Sequence, residues 1–122
     1  MTDTTEKLVI LMTRGIDSEL SSVAFTIANG GLTAGLKVSV FLTSAAVDAV
    51  RQGGQRMTQV APLDGLLALI EDFQRRGGTI WACSPCVKSR GYEQADLLEG
   101  VVITGASAMH AEIKAGAATL SF

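Results

Sequence analysis

The side chains best suited to chemistry in this chain crowd into one stretch, "WACSPCVKSRG", residues 81–91. Cys83 and Cys86 are its only cysteines, with Ser84 and Pro85 between them and Lys88 and Arg90 close behind. Free cysteine titrates at about 8.5, the thiolate is the nucleophile, and helix starts and nearby cations lower that value. A strand ending in Cys83, with Ser84 as N-cap and Pro85 at the first helical position, would aim unpaired helix-start amides at the Cys83 sulfur. Lys88 and Arg90 lie within two turns and add positive charge. Cys86 is within loop distance of Cys83 and can form a reducible disulfide with it. The expectation is therefore a reactive dithiol, with Cys83 as nucleophile and Cys86 as resolving thiol. The opposing expectation is two inert cysteines serving as small apolar residues, since free cysteine is among the most buried residue types.

Other chemistries find less support. With a single histidine, His110, the cysteines fall one ligand short of a four-ligand zinc site, so no metal is expected. No G-x-x-x-x-G-K-[ST] occurs, which disfavours phosphate-loop nucleotide binding, and no cofactor is expected. Arg14 and Asp17, in "RGIDS", are placed to bind a substrate anion or to form a solvated charged loop. His110, in "SAMHAEIK", suits a surface or subunit interface, or reaches the thiol if its helix starts beside the Cys83 loop. Met12, Met57 and Met109 suit packing, and Trp81 suits the core or a subunit interface. "WACSPC" approaches the thioredoxin pattern, but it follows residue 80 and the only other proline, Pro62, precedes it, which argues against that fold.

The elements that must position these residues alternate regularly. "KLVILMT", residues 7–13, is a continuous apolar run and predicts a strand buried on both faces. Asp17 or Ser18 caps a helix to about Ala34, in which Gly30 and Gly31 are explained by close helix-to-sheet packing. "KVSVFL", residues 37–42, predicts a second strand, and Thr43 or Ser44 caps a short helix to about Val50. Residues 51–61 show no period and predict a mobile loop. An amphipathic helix begins at Leu63 and ends at Gly77 and Gly78, before a third strand, Thr79 to Ala82. A helical piece from Pro85 to about Leu98, a strand from Val101 to Thr104, a helix from Ser107 to Lys114 and a strand from Ala118 to Phe122 complete the chain. Such alternation implies an α/β fold with parallel strands layered between helices, and a ligand site beyond the strands' carboxyl ends.

The length of 122 residues and 48% hydrophobic content suit one domain, residues 1–122. A net charge of -2 without any long basic cluster argues against a nucleic acid partner. The apolar run at residues 8–12 is too short for a signal or membrane segment, so no membrane association and a cytoplasmic location are expected.

The order of elements, the cysteine at the third strand's end and the Arg90-Gly91 pair seven positions after Cys83 resemble the DsrE/DsrF/TusD-like family, whose members share the DsrE-like, YchN-like fold. The similarity runs from "KLVILMT" through "GLKVSVFL" to "GAATLSF". The resemblance implies a five-stranded, mainly parallel three-layer α/β/α sandwich assembled into trimers or hexamers. It implies that Cys83 accepts a sulfane sulfur as a persulfide, as in a sulfur carrier or sulfurtransferase, with a sulfur-donor or acceptor protein as partner. Cys86 is a departure from the sulfur-relay pattern, and a persulfide attacked by a second thiol releases sulfide and leaves a disulfide, the chemistry of a thiol-disulfide reductase. Around the cysteines, the candidate binding residues are Arg14, Asp17, Ser44, Ser84, Lys88, Arg90 and His110. The competing expectation is a non-catalytic binding module with a pocket formed by Gly15, Ser44, Ser84 and Gly105.

Overall fold

The computed structural model describes residues 6–55 and 61–122. Strand β1 (Lys7–Met12) is followed by helix α1 (Glu19–Thr33), strand β2 (Lys37–Leu42) and a 3-10 helix (Ser44–Val50). Helix α2 (Leu66–Arg75), strand β3 (Thr79–Cys83) and helix α3 (Ser84–Ser89) come next. A 3-10 turn (Gln94–Asp96), strand β4 (Val102–Thr104), helix α4 (Ser107–Lys114) and strand β5 (Ala118–Ser121) close the chain. Every strand pair is parallel, in the order β4-β3-β2-β1-β5. The five-stranded α/β layering anticipated from the alternation is present.

The topology explains where the helices go. The chain steps from β1 to β4 in one direction across the sheet, and right-handed crossovers then keep the connecting helices on one face. To reach β5 on the far side of β1 it reverses direction, and the same handedness puts α4 on the other face.

The two faces differ in burial toward the β4 edge, although Val9 and Phe41 are buried on the second face as well. Leu8, Ile10 and Met12 of β1, Val38, Val40 and Leu42 of β2, and Ile80 and Ala82 of β3 pack with Phe25 of α1 and Leu66, Ile70 and Phe73 of α2 into one core. The Phe25 and Phe73 rings meet edge to face, with centroids 5.8 Å apart and planes at 75°. The Asn29 amide ties α1 to α2 by donating to the Leu69 carbonyl. The opposite face carries Leu11, Phe41, Trp81 and Val102 in one cross-strand row. Helix α4 lies on that side, none of its residues is buried, and Val102 is 49% exposed.

Local expectations are refined in several places. Ser18 is the N-cap of α1, its hydroxyl accepting from the Leu20 amide. Close packing holds for Gly31, where a Cβ would meet the Val38 side chain at 2.9 Å, but not for Gly30, which has open space around it. One helical position rotates a residue by about 100°, enough to move it from the sheet to solvent. The helical piece after the cysteines stops at Ser89 rather than running to Leu98, and α2 starts at Leu66 rather than Leu63. The segment after Val50 is tied down as far as Gln55. Its side-chain amide is buried and donates to the carbonyls of Ala49 and Arg51, and Arg51 bridges to Leu97. Residues 56–60, with Met57, lie outside the described residues. Met12 is fully buried, as its expected packing role requires.

Candidate active site

The site forms where the exits of β2 and β3 meet. Thr43 continues β2 in an extended conformation, and Ser44 turns abruptly, with φ of 56°. A left-handed backbone at a residue other than glycine costs on the order of 1–3 kcal/mol and persists only where the surroundings impose it. Here the turn directs the Ser44 N–H onto the Cys86 sulfur, at 3.1 Å. The Thr43 hydroxyl lies 3.4 Å from the same sulfur. The exit loop of β1 supports this corner from the other side. At Gly15 a side chain would come within 2.8 Å of the Ala45 carbonyl oxygen, so only glycine lets the two loops touch there.

The β3 exit supplies the thiols. Cys83 itself occupies the N-cap of α3, Ser84 is the first helical residue and Pro85 follows within the first turn. The expected N-cap role of Ser84 is therefore taken by Cys83, one position earlier, because β3 runs one residue further than Ala82. Both thiols are free and partly exposed. Cys86, in the first turn of α3, faces back toward the corner made by Thr43 and Ser44.

The polar contacts gather on Cys86 and not on Cys83. The Thr43 hydroxyl is the main cause of a Cys86 thiol held below the ordinary thiol range, partial burial opposes it, and the Ser44 amide, the Cys83 thiol and the Arg90 charge assist. Hydrogen bonds to the charged form favour it. These contacts move the Cys86 equilibrium toward the thiolate. The Arg90 guanidinium donates to the Cys86 carbonyl at 3.4 Å, and its Nε lies 3.4 Å from the Asp48 carboxylate. Replacing Thr43 by valine, which keeps the shape and removes the hydroxyl, is expected to move the pH midpoint of Cys86 alkylation upward. Rate against pH in a Cys83→Ser background measures it, and an unchanged midpoint would show that the hydroxyl does not stabilise the thiolate.

The other expected site residues divide into two groups. Ser44 and Arg90 join the cysteines, Ser44 through its backbone amide rather than its hydroxyl. Ser84 sits between the thiols at the start of α3, and Lys88 is exposed in its last turn. Arg14 and Asp17 are exposed on the β1 exit loop, and no hydrogen bond or ion pair joins them to either thiol. His110 is exposed on α4, which packs on β1, and its ring makes no contact of that kind with the cysteines. Gly105 follows β4, with open space around it. Thr43, expected only as a helix cap, and Asp48 and Tyr92, not singled out at all, are the further residues at the site. Asp48 carried a usable signal, as the one charged residue in the otherwise apolar stretch "SAAVDAV". Among the described residues, no group of three or more His, Cys, Asp or Glu side chains is placed to hold a metal ion. None of their helices is long and apolar enough to cross a membrane.

Comparison with known proteins agrees with this architecture. The sequence model of the DsrE/DsrF-like family matches residues 6–122. The uncharacterized protein MK0008 of Methanopyrus kandleri is 30% identical over 93 residues, covering 76% of this chain and 74% of that protein. Protein MTH1491 from Methanobacterium thermoautotrophicum, of unknown function, superposes with a TM-score of 0.74 at 19% identity, covering 95% of this chain and 98% of that one. The ychN protein from E. coli superposes with a TM-score of 0.72 at 22% identity, over 97% of this chain and 100% of that one. At these identities the two structures share the fold, and the cysteine geometry has to be argued from this chain.

Proposed function

Because the chain belongs to the DsrE/DsrF-like family, we propose that its cysteine pair takes up sulfane sulfur, with Cys86 as the first nucleophile and Cys83 as its partner. The observation that carries this reading is the Ser44 amide donating to the Cys86 sulfur beside the Thr43 hydroxyl, which donates to it when the sulfur is a thiolate. The roles are the reverse of those expected from the sequence, where helix-start amides were to activate Cys83.

In the first step the Cys86 thiolate attacks the outer sulfur of a donor persulfide. The donor's S–S bond breaks, the donor leaves as a thiolate, and Cys86 becomes a persulfide. Two exits then compete. An acceptor thiolate attacks the outer sulfur and returns Cys86 to its two donors as a thiolate, a leaving group made better by its lowered pKa. In the other, the Cys83 thiolate attacks the inner sulfur, hydrosulfide leaves and a Cys83–Cys86 disulfide remains. The first exit is sulfur carriage, and the second is thiol-disulfide reductase chemistry. A short exposure of reduced protein to a sulfane-sulfur donor, read by intact mass, tests the proposal. We expect a gain of one sulfur atom, or loss of two hydrogens with sulfide released. Unchanged mass would overturn it and leave the cysteines structural.

We also propose that further copies of the chain close the open sheet face. Trp81 is half-buried and Val102 exposed in the row of Leu11 and Phe41, and Met109, Ile113 and Leu120 line an adjoining apolar cleft of about 450 Å³. Contiguous apolar surface of this kind marks interaction sites. Sedimentation is expected to give a homo-oligomer, a trimer or a hexamer, dissociated by Val102→Asp. A monomer at micromolar concentration would rule this out.

A further inference from the structure

Asp48 stands alone as a charge in the 3-10 helix Ser44–Val50, and one oxygen of its carboxylate meets two partners. Oδ1 accepts from the Tyr92 hydroxyl at 2.5 Å and lies 3.4 Å from Arg90 Nε. Tyr92 in turn lies beneath the Arg51 guanidinium, 5.2 Å from ring centroid to Cζ. The hydrogen bond to Asp48 is the main reason the Tyr92 hydroxyl is held above its ordinary range, so it remains a donor across neutral pH. The 3-10 helix therefore grips α3 at two points. At its start, the Ser44 N–H meets the Cys86 sulfur. One turn on, Asp48 holds Arg90, which meets the Cys86 carbonyl.

We infer that Asp48 is a positioning residue for Cys86, fixing Arg90 and, through it, the turn of α3 that keeps the thiol against Thr43 and Ser44. This rests on the reading of Cys86 as the reactive thiol. The charged and titratable groups that act on that thiol are Cys83 from β3 and Arg90 at the end of α3, with Asp48 behind Arg90, Tyr92 on Asp48 and Arg51 over Tyr92. The facing stretch of β4, Val102–Thr104, carries none.

The sign of one substitution decides between positioning and plain electrostatics. A carboxylate close to a thiolate disfavours the anion, so if Asp48 acted only through its charge, Asp48→Asn would lower the Cys86 midpoint. If Asp48 acts by positioning, the same substitution releases Arg90, loosens the contacts on the sulfur and raises the midpoint.

The test is alkylation of Cys86 by iodoacetamide against pH, with every variant in a Cys83→Ser background and thermal unfolding as the check on folding. Asp48→Asn and Arg90→Gln are each expected to raise the midpoint and slow alkylation several-fold at neutral pH. The double variant is expected to go no further than Arg90→Gln alone, because the two act along one path. Asp48→Glu is expected to recover part of the loss. Tyr92→Phe, which leaves both charges in place, is expected to raise the midpoint by less. A lowered or unchanged midpoint in Asp48→Asn, or shifts that simply add, would overturn the inference while leaving Cys86 as the nucleophile. An ordinary free-thiol midpoint in the Cys83→Ser parent would instead remove the Cys86 assignment, and this inference with it.

Discussion

Cys86→Ser is expected to lose sulfane-sulfur uptake entirely, while Cys83→Ser continues to load. A serine hydroxyl at position 86 would still meet the Thr43 and Ser44 donors, but it remains protonated at neutral pH and is no match for a thiolate as a nucleophile. Cys83→Ser leaves both donors on Cys86 and takes away only the neighbouring thiol's contribution. That variant should take up sulfur at a rate within a few-fold of wild type. It should also hold its persulfide longer, since the thiol that attacks the inner sulfur is gone. Intact mass and peptide mapping of the three proteins after the same exposure to donor decide the matter. Loading of Cys86→Ser with none of Cys83→Ser would reverse the assignment and restore Cys83 as nucleophile.

The largest effect on stability is expected from Phe73→Ala. Phe73 is fully buried in α2 and meets Phe25 of α1 edge to face, so its removal leaves a cavity between the two helices that cover the closed face of the sheet. Phenylalanine-to-alanine changes in cores cost about 3–5 kcal/mol, because the surroundings collapse only in part. For a domain of this size that is a fall in Tm on the order of 10–20 °C. Ile27→Ala, on the exposed side of α1, is the control, and its cost should stay within about 0.5 kcal/mol. Denaturant unfolding of both variants checks the difference, and similar midpoints would mean that Phe73 is not at the centre of the core.

Much of the fold was legible because its signals are local. The run "KLVILM" marks a strand buried on both faces, Asp17-Ser18 marks the start of α1 with Ser18 as the cap, and "SAMHAEIK" coincides with α4. Such patterns arise within one turn or one strand and survive whatever packs against them. Contacts between side chain and backbone were not legible. Nothing in the composition of the stretch after Val50 shows that Gln55 folds back under Ala49 and Arg51. The burial of the two sheet faces was equally hidden. The alternation anticipates layers on both sides, but not that α4 lies on the Trp81 side without burying any of its own residues.

The sequence by itself determined that two cysteines stand at the carboxyl end of a central parallel strand, ahead of an Arg-Gly pair, because strand, turn and spacing are properties of contiguous residues. Only the tertiary structure decided which sulfur the polar groups of the neighbouring strand exit meet. The donors to Cys86 come from Thr43 and Ser44, 43 and 42 positions away, and they reach it because β2 lies beside β3 in a register that pairs Leu42 with Ala82. The Ser44 amide then points at the sulfur through a left-handed backbone turn that no residue type at that position announces. A hydrogen bond from a backbone N–H depends on where the chain goes and not on which side chain it carries, so that part of the chemistry appears only once the strands are side by side.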